Sequence, residues 1–116
     1  MIRELTEDEV SFEIECLPED SHPRDHFFSG DPEQDAADVA DILEKSQWNP
    51  WAWCIVKITA SWGGFRASEY LGGCSYEDEA DFMECDYFKD MKAESLAGLN
   101  ANLRSISERL EVLRVR

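Results

Sequence analysis

Two adjacent glycines, Gly63-Gly64, stand between two long runs of alternating apolar character, and no other feature constrains this chain's fold as much. A two-residue Gly-Gly loop suits the mirror-image turns that close a β-hairpin, because those turns need positive φ. Strands are therefore predicted over residues 51–62 and from 65 to about 74. The turn sets the register: Trp62 faces Phe65, Ala60 faces Ala67, Val56 faces Leu71 and Cys54 faces Gly73. That face is apolar except for Glu69 opposite Ile58, a mismatch that allows a bulge. The other face pairs Ser61 with Arg66, Thr59 with Ser68, Lys57 with Tyr70 and Trp53 with Cys74, and is mixed enough to be partly solvated.

Residues 10–16 alternate in the same way, with Val10, Phe12, Ile14 and Cys16 on one side, as in a half-buried strand. Pro18 to Asp25 reads as a loop. Asp31-Pro32-Glu33-Gln34 is a helix start with a capping Asp, a first-turn Pro and a residue that can close a capping box. This helix should run to Lys45 or Ser46, burying Ala36, Val39, Ala40 and Leu43 and turning Asp35, Asp38 and Asp41 outward. Ser75-Tyr-Glu-Asp78 resembles a second capping box, opening a short acidic helix to Met83 or Glu84. A long helix is expected from about Asp86. Its Leu96, Leu99, Leu103, Ile106, Leu110 and Leu113 repeat at spacings 3-4-3-4-3, and Leu99, Leu103 and Ile106 are expected in the core. Gly98 and Asn100 weaken it near the middle. The order β-α-β-β-α-α gives an α+β fold, with helices packed on a small three-stranded antiparallel sheet and residues 1–116 forming a single domain.

The formal charge is −15 and unevenly spread. Residues 1–50 carry a net −12 and residues 75–94 a net −6, whereas 51–74 is +1 and 95–116 is +2. Hydrophobic residues make up 43%, too many for a disordered acidic tail. An acidic folded surface repels nucleic acid and anionic membrane and attracts basic surfaces. The first ten residues lack the basic and apolar regions of a signal peptide, and no apolar run reaches the ~20 residues that span a bilayer. A cytoplasmic location is expected, with Cys16, Cys54, Cys74 and Cys85 as free thiols. Cys54 and Cys74 point to opposite sheet faces in the predicted register, a poor arrangement for a disulfide.

Asp31, Asp35, Asp38 and Asp41 recur every three or four residues, which places a carboxylate about every 5 Å along one helix line. DNA carries a phosphate per ~3.4 Å of axis on each strand, so the line can imitate a phosphate row. Ile42 falls inside this acidic face, where an apolar side chain gains nothing from water, and Glu44 extends it. Glu77, Asp78, Glu79, Asp81 and Glu84 form a second acidic surface. It lacks the glycine and ligand spacing of a calcium loop. His22 and His26 flank Pro23, which spoils helical presentation of a zinc pair, so neither metal nor cofactor is expected. Trp51 and Trp53 emerge opposite the apolar face and serve either the core or a protein interface. No phosphate loop or nucleophile motif is present in the sequence.

Asn49-Pro-Trp-Ala-Trp-Cys54, Leu71-Gly-Gly-Cys-Ser-Tyr76, Glu79-Ala-Asp-Phe82 and Tyr87-Phe-Lys-Asp-Met91 resemble small uncharacterised acidic proteins carried by bacteriophages and plasmids. The resemblance covers a little over a third of the chain and implies a bacterial cytoplasm and a mobile element. Small acidic proteins of such elements are often inhibitors of host defence, including anti-CRISPR and anti-restriction proteins. With the charge, this implies a non-enzymatic inhibitor whose acidic surface blocks the nucleic-acid site of a basic host protein or complex, with no direct nucleic-acid binding. The alternative is a structural or regulatory homodimer joined through its leucine-rich helix, with acidity serving solubility. The first requires the two acidic blocks to meet in space, and the second requires the leucine stripe to be exposed.

Overall fold

The hairpin closes at the two glycines. In the computed structural model, which describes residues 2–114, Gly63 and Gly64 adopt φ of 56° and 84° between β2 (Cys54–Trp62) and β3 (Phe65–Cys74). β1 (Ser11–Pro18) pairs antiparallel with β2, giving the sheet order β1-β2-β3. The helices are α1 (Pro32–Ser46), α2 (Glu79–Met83) and α3 (Asp86–Val112), so the fold is α+β. From Trp62↔Phe65 to Val56↔Leu71 the register is the predicted one.

Beyond Val56 the register shifts. The irregularity lies between Cys54 and Val56, not at the Glu69–Ile58 mismatch, and it sets Cys54 opposite Cys74. Three steps on β3 match two on β2, and Gly73 sits at φ 66°, a backbone state in which glycine relieves the strain. The expectation that Cys54 and Cys74 point to opposite faces is corrected: both are buried in one core cluster. Burial pushes the Cys54 thiol up to about 12 and the Cys74 thiol up to about 11, so both stay protonated at neutral pH.

The predicted strand start is also corrected. Residues Pro50–Ala52 form a 3-10 turn, with Asn49 Oδ1 accepting from the Trp51 N–H at 3.1 Å, and β2 begins only at Cys54. The turn breaks the strand parity that would have sent Trp51 and Trp53 the same way. Trp51 packs against the core with its ring 6.1 Å from Phe82. Trp53 turns to the loop after β1, where its Nε1 donates to the Ser21 carbonyl at 2.8 Å and His26 meets its ring edge-on.

The core lies between one sheet face and the helices α2 and α3. Val56, Ile58, Phe82 and Met91 are buried there with Cys54 and Cys74, and Phe12, Ile14 and Leu71 pack around them. In α3, Gly98 faces the sheet, where a Cβ would stand 3.4 Å from that of Ala67. Asn100 is buried; its Oδ1 accepts from the Leu5 N–H at 2.8 Å and its Nδ2 donates to the Leu5 carbonyl at 3.0 Å. That pair pins the N-terminal segment along the helix. Only Leu99 of the predicted apolar trio is fully buried, while Leu103 and Ile106 are partly exposed. Farther along, Leu110 and Leu113 are exposed.

α1 does not pack as expected. Its principal neighbours are the 3-10 turns Pro23–His26 and Pro50–Ala52, not the sheet. Ile42, expected on the exposed acidic face, is the buried residue of this helix at 7% exposure. Ala36, Ala40 and Leu43, expected in the core, are exposed. The docked stripe is Asp35, Asp38, Val39 and Ile42, spaced i, i+3, i+4, i+7. Ile42 and Val39 supply the apolar area of the docked stripe, while Leu43 and the two alanines border an open groove with Phe27 and Pro32.

A carboxylate clamps the loop that carries His26. Glu19 Oε1 accepts from the Gly73 N–H at 2.6 Å and Oε2 from the Ser21 N–H at 3.2 Å. Burial acts to raise this carboxyl, but the N–H donors of Ser21 and Gly73 prevail and hold it below the usual range. A carboxylate depressed in the folded state contributes stability above its unfolded pKa and loses that contribution as pH falls. Glu19→Gln should therefore lower the melting temperature at pH 7, with the gap to wild type beginning to close near the ordinary carboxylate value of ~4.3 and vanishing as pH falls through the lower folded value. A gap that persists unchanged at acid pH would rule out this linkage.

The molecule is elongated, 71 × 24 × 21 Å, with a radius of gyration of 18.9 Å. A compact domain of this length would have about 13 Å. α1, α2 and the Cys54–Cys74 pair lie at one end, and the hairpin tip meets the second half of α3 at the other. No helix of the described residues is long and apolar enough to cross a membrane.

Candidate docking surface

Each acidic segment begins with its own structural duties. Asp31 caps α1, its Oδ1 accepting from the Gln34 N–H at 3.2 Å. Asp35 accepts from the Ser29 N–H at 3.1 Å and from the Ser29 hydroxyl at 2.6 Å, which holds the chain entering the helix. Asp38 takes the Gln34 amide at 2.9 Å, and Asp41 pairs with Lys45 at 3.0 Å. The carboxylate row expected to lie free on the outer face is thus partly committed: Asp35 and Asp38 are half-buried, while Asp31 and Asp41 are exposed.

The second segment is built likewise, with one correction. The helix cap is Asp78, not Ser75; Asp78 Oδ1 accepts from the Asp81 N–H at 2.8 Å. Asp81 Oδ2 in turn accepts from the Glu77 N–H at 3.0 Å. Fully buried Phe82 anchors this short helix among Trp51, Tyr76 and Phe88. Glu77, Glu79 and Glu84 are exposed and have no hydrogen bond or ion pair from their carboxylates among the described residues.

The fold brings the end of α1 and the start of α2 together. Asn49 Nδ2 donates to the Glu77 carbonyl at 2.9 Å, joining segments 28 residues apart. Lys45 is held above its ordinary range by its hydrogen bond to Asp41, then by the charge of Asp41, with smaller contributions from Glu77 and Glu44. Asp41, Glu44, Glu77, Asp78 and Asp81 therefore belong to one surface, with Lys45 inside it. The start of the α1 row, at Asp31, lies a helix length away.

At the centre of this surface stands a residue that the sequence pattern did not single out. Trp48 is 72% exposed in the turn after α1. It forms a wall between two open grooves of about 450 and 480 Å³. One is acidic, with Glu77, Asp78 and Asp81 near Tyr76, and the other carries Leu17, Pro18, Pro50 and Trp53. The available signal was local: Trp48 lies between polar Gln47 and Asn49, outside any apolar repeat. Trp51 and Trp53, read as core or interface, are both partly buried with partners inside the fold.

The histidines also have local roles. His22 Nδ1 accepts from the Arg24 N–H at 3.1 Å, and His26 shares a hydrogen bond with the Ser21 hydroxyl at 2.9 Å. Among the described residues, no group of three or more His, Cys, Asp or Glu is arranged to hold a metal ion. An exposed tryptophan beside aligned carboxylates can dock on a basic protein surface, since Trp supplies contact area and acid supplies long-range attraction. The sequence matches no family model, no curated protein and no solved structure.

Proposed function

We propose that this chain is a non-enzymatic inhibitor from a mobile genetic element, of the anti-CRISPR or anti-restriction type, acting in the bacterial cytoplasm. Its acidic end docks on the positively charged nucleic-acid site of a host defence complex and excludes DNA or RNA from it. The observation that supports this reading is the junction at Asn49 and Glu77, which unites two acidic segments around exposed Trp48. Asp31, Asp35, Asp78 and Asp81 keep the surface in shape, while Asp41, Glu44, Glu77, Glu79 and Glu84 offer charge and Trp48 offers an anchor.

The test separates charge from anchor. A tagged protein captures its partner from a bacterial lysate at low salt, and the identified partner is then assayed for nucleic-acid binding. Changing Glu44, Glu77, Glu79 and Glu84 together to Gln should weaken capture and flatten its salt dependence, because those charges supply the long-range attraction. Trp48→Ala should weaken binding by roughly 30-fold or more, as for a hot-spot aromatic, and keep the salt slope. If the partner still binds nucleic acid when saturated with this protein, the inhibitor reading fails. If both variants bind like wild type, the docking surface lies elsewhere.

A further inference from the structure

The end opposite the acidic surface is apolar and open. Trp62 and Phe65 at the hairpin tip, Leu103, Ile106 and Leu110 on α3, and Ile2 line a groove of about 510 Å³. Leu110 is 58% and Leu113 is 70% exposed, so the stripe runs on past the groove into solvent. We infer that a second copy of this chain covers this groove, its α3 crossing antiparallel about a two-fold axis near position 108.

Two observations favour a second copy over another occupant. First, the stripe is its own complement. Positions 103, 106, 110 and 113 are symmetric about their midpoint, so an antiparallel crossing sets Leu113 of one copy against Leu103 of the other, and Ile106 against Leu110. An isologous two-fold contact requires that kind of self-match. Second, charge does not oppose it at this end. The chain carries −15 overall, but here Arg104 pairs with Glu4 and Arg114 with Glu111, and the 71 Å length keeps the two acidic ends far apart when the hairpin ends meet. The dimer leaves both acidic surfaces pointing outward, so it is compatible with the proposed function and independent of it.

Sedimentation equilibrium on the full chain from about 1 to about 100 µM tests the inference. The mass should rise from 13.3 kDa toward twice that value, and no further. Added salt should favour the dimer, because it screens repulsion between the acidic bodies. Leu110→Glu and Leu113→Glu change exposed residues and should keep the wild-type circular dichroism, yet each should raise the dissociation constant tenfold or more. A constant 13.3 kDa across the range overturns the inference. So does a dimer that the two variants leave unchanged. Species larger than a dimer that dissolve in salt would instead show acidic ends docking on arginine-rich ends, and would overturn it too. Capture of the basic partner by Leu113→Glu reports on the acidic surface alone.

Discussion

Phe82→Ala is expected to bring the protein to the edge of unfolding, with a loss of about 3–5 kcal/mol from a total that for small domains is about 5–15 kcal/mol. Phe82 has no exposed surface. Its ring contacts Tyr76 at 5.2 Å and Phe88 at 5.8 Å between centroids, both edge-on, and Trp51 at 6.1 Å. Truncation removes the transfer energy of a whole aromatic ring and leaves a void among three other rings, which cannot collapse without breaking their own packing. The position also matters for the docking surface. α2 has only five residues and is otherwise exposed apart from half-buried Asp81, so Phe82 is what fastens Glu77, Glu79 and Glu84 to the body. Urea unfolding followed by tryptophan fluorescence measures the loss. A cost below about 1 kcal/mol would mean that α2 is not held by this residue.

Leu99→Ala should be nearly as damaging, at about 2–5 kcal/mol, and its value lies in the comparison with its neighbours on the same stripe. Leu99 is fully buried where α3 crosses the sheet near Gly98 and Ala67. Leu103 is partly exposed and should cost less, and Leu110 is exposed enough that Leu110→Ala should stay within about 0.5 kcal/mol in the monomer. The cost should therefore fall along the helix toward its C-terminal end. Thermal or urea unfolding of the three variants at low protein concentration gives the gradient directly. Equal losses at Leu99 and Leu110 would show that the whole stripe is core.

The heptad spacing made the helix legible, but it could not tell which leucines are covered. Spacing fixes a common face, whereas burial depends on how far the sheet extends beneath it. The sheet runs out at the hairpin tip, so the stripe changes from core to open groove along its length. α1 illustrates a different failure. Its start, its cap and its end were readable from Asp31, Pro32 and Asn49-Pro50, since those signals are local. Its orientation was only partly legible: Val39 is on the docked side as expected, but α1 packs on the 3-10 turns Pro23–His26 and Pro50–Ala52 rather than on the sheet, and these cover Ile42 and leave Ala36, Ala40 and Leu43 exposed. The carboxylates expected to face solvent freely were drawn to the flank of the docked side, where Ser29 and Gln34 use two of them.

The sequence alone determined the hairpin, its turn and most of its register, because Gly-Gly at 63–64 and strict alternation leave few other solutions. It also determined the charge asymmetry, a net −12 over residues 1–50 and −6 over 75–94 against +1 and +2 in the other two stretches. Only the tertiary structure decided three things. The bulge at Gly72-Gly73 placed Cys54 against Cys74, since a one-residue slip reverses which face a side chain meets. The capped turn at Asn49 parted Trp51 from Trp53 and, through the Glu77 carbonyl, joined the acidic segments around Trp48. The length of α3 beyond the sheet left an apolar end open. Each of these depends on contacts between residues far apart in the chain, and local pattern carries no record of where such partners end up.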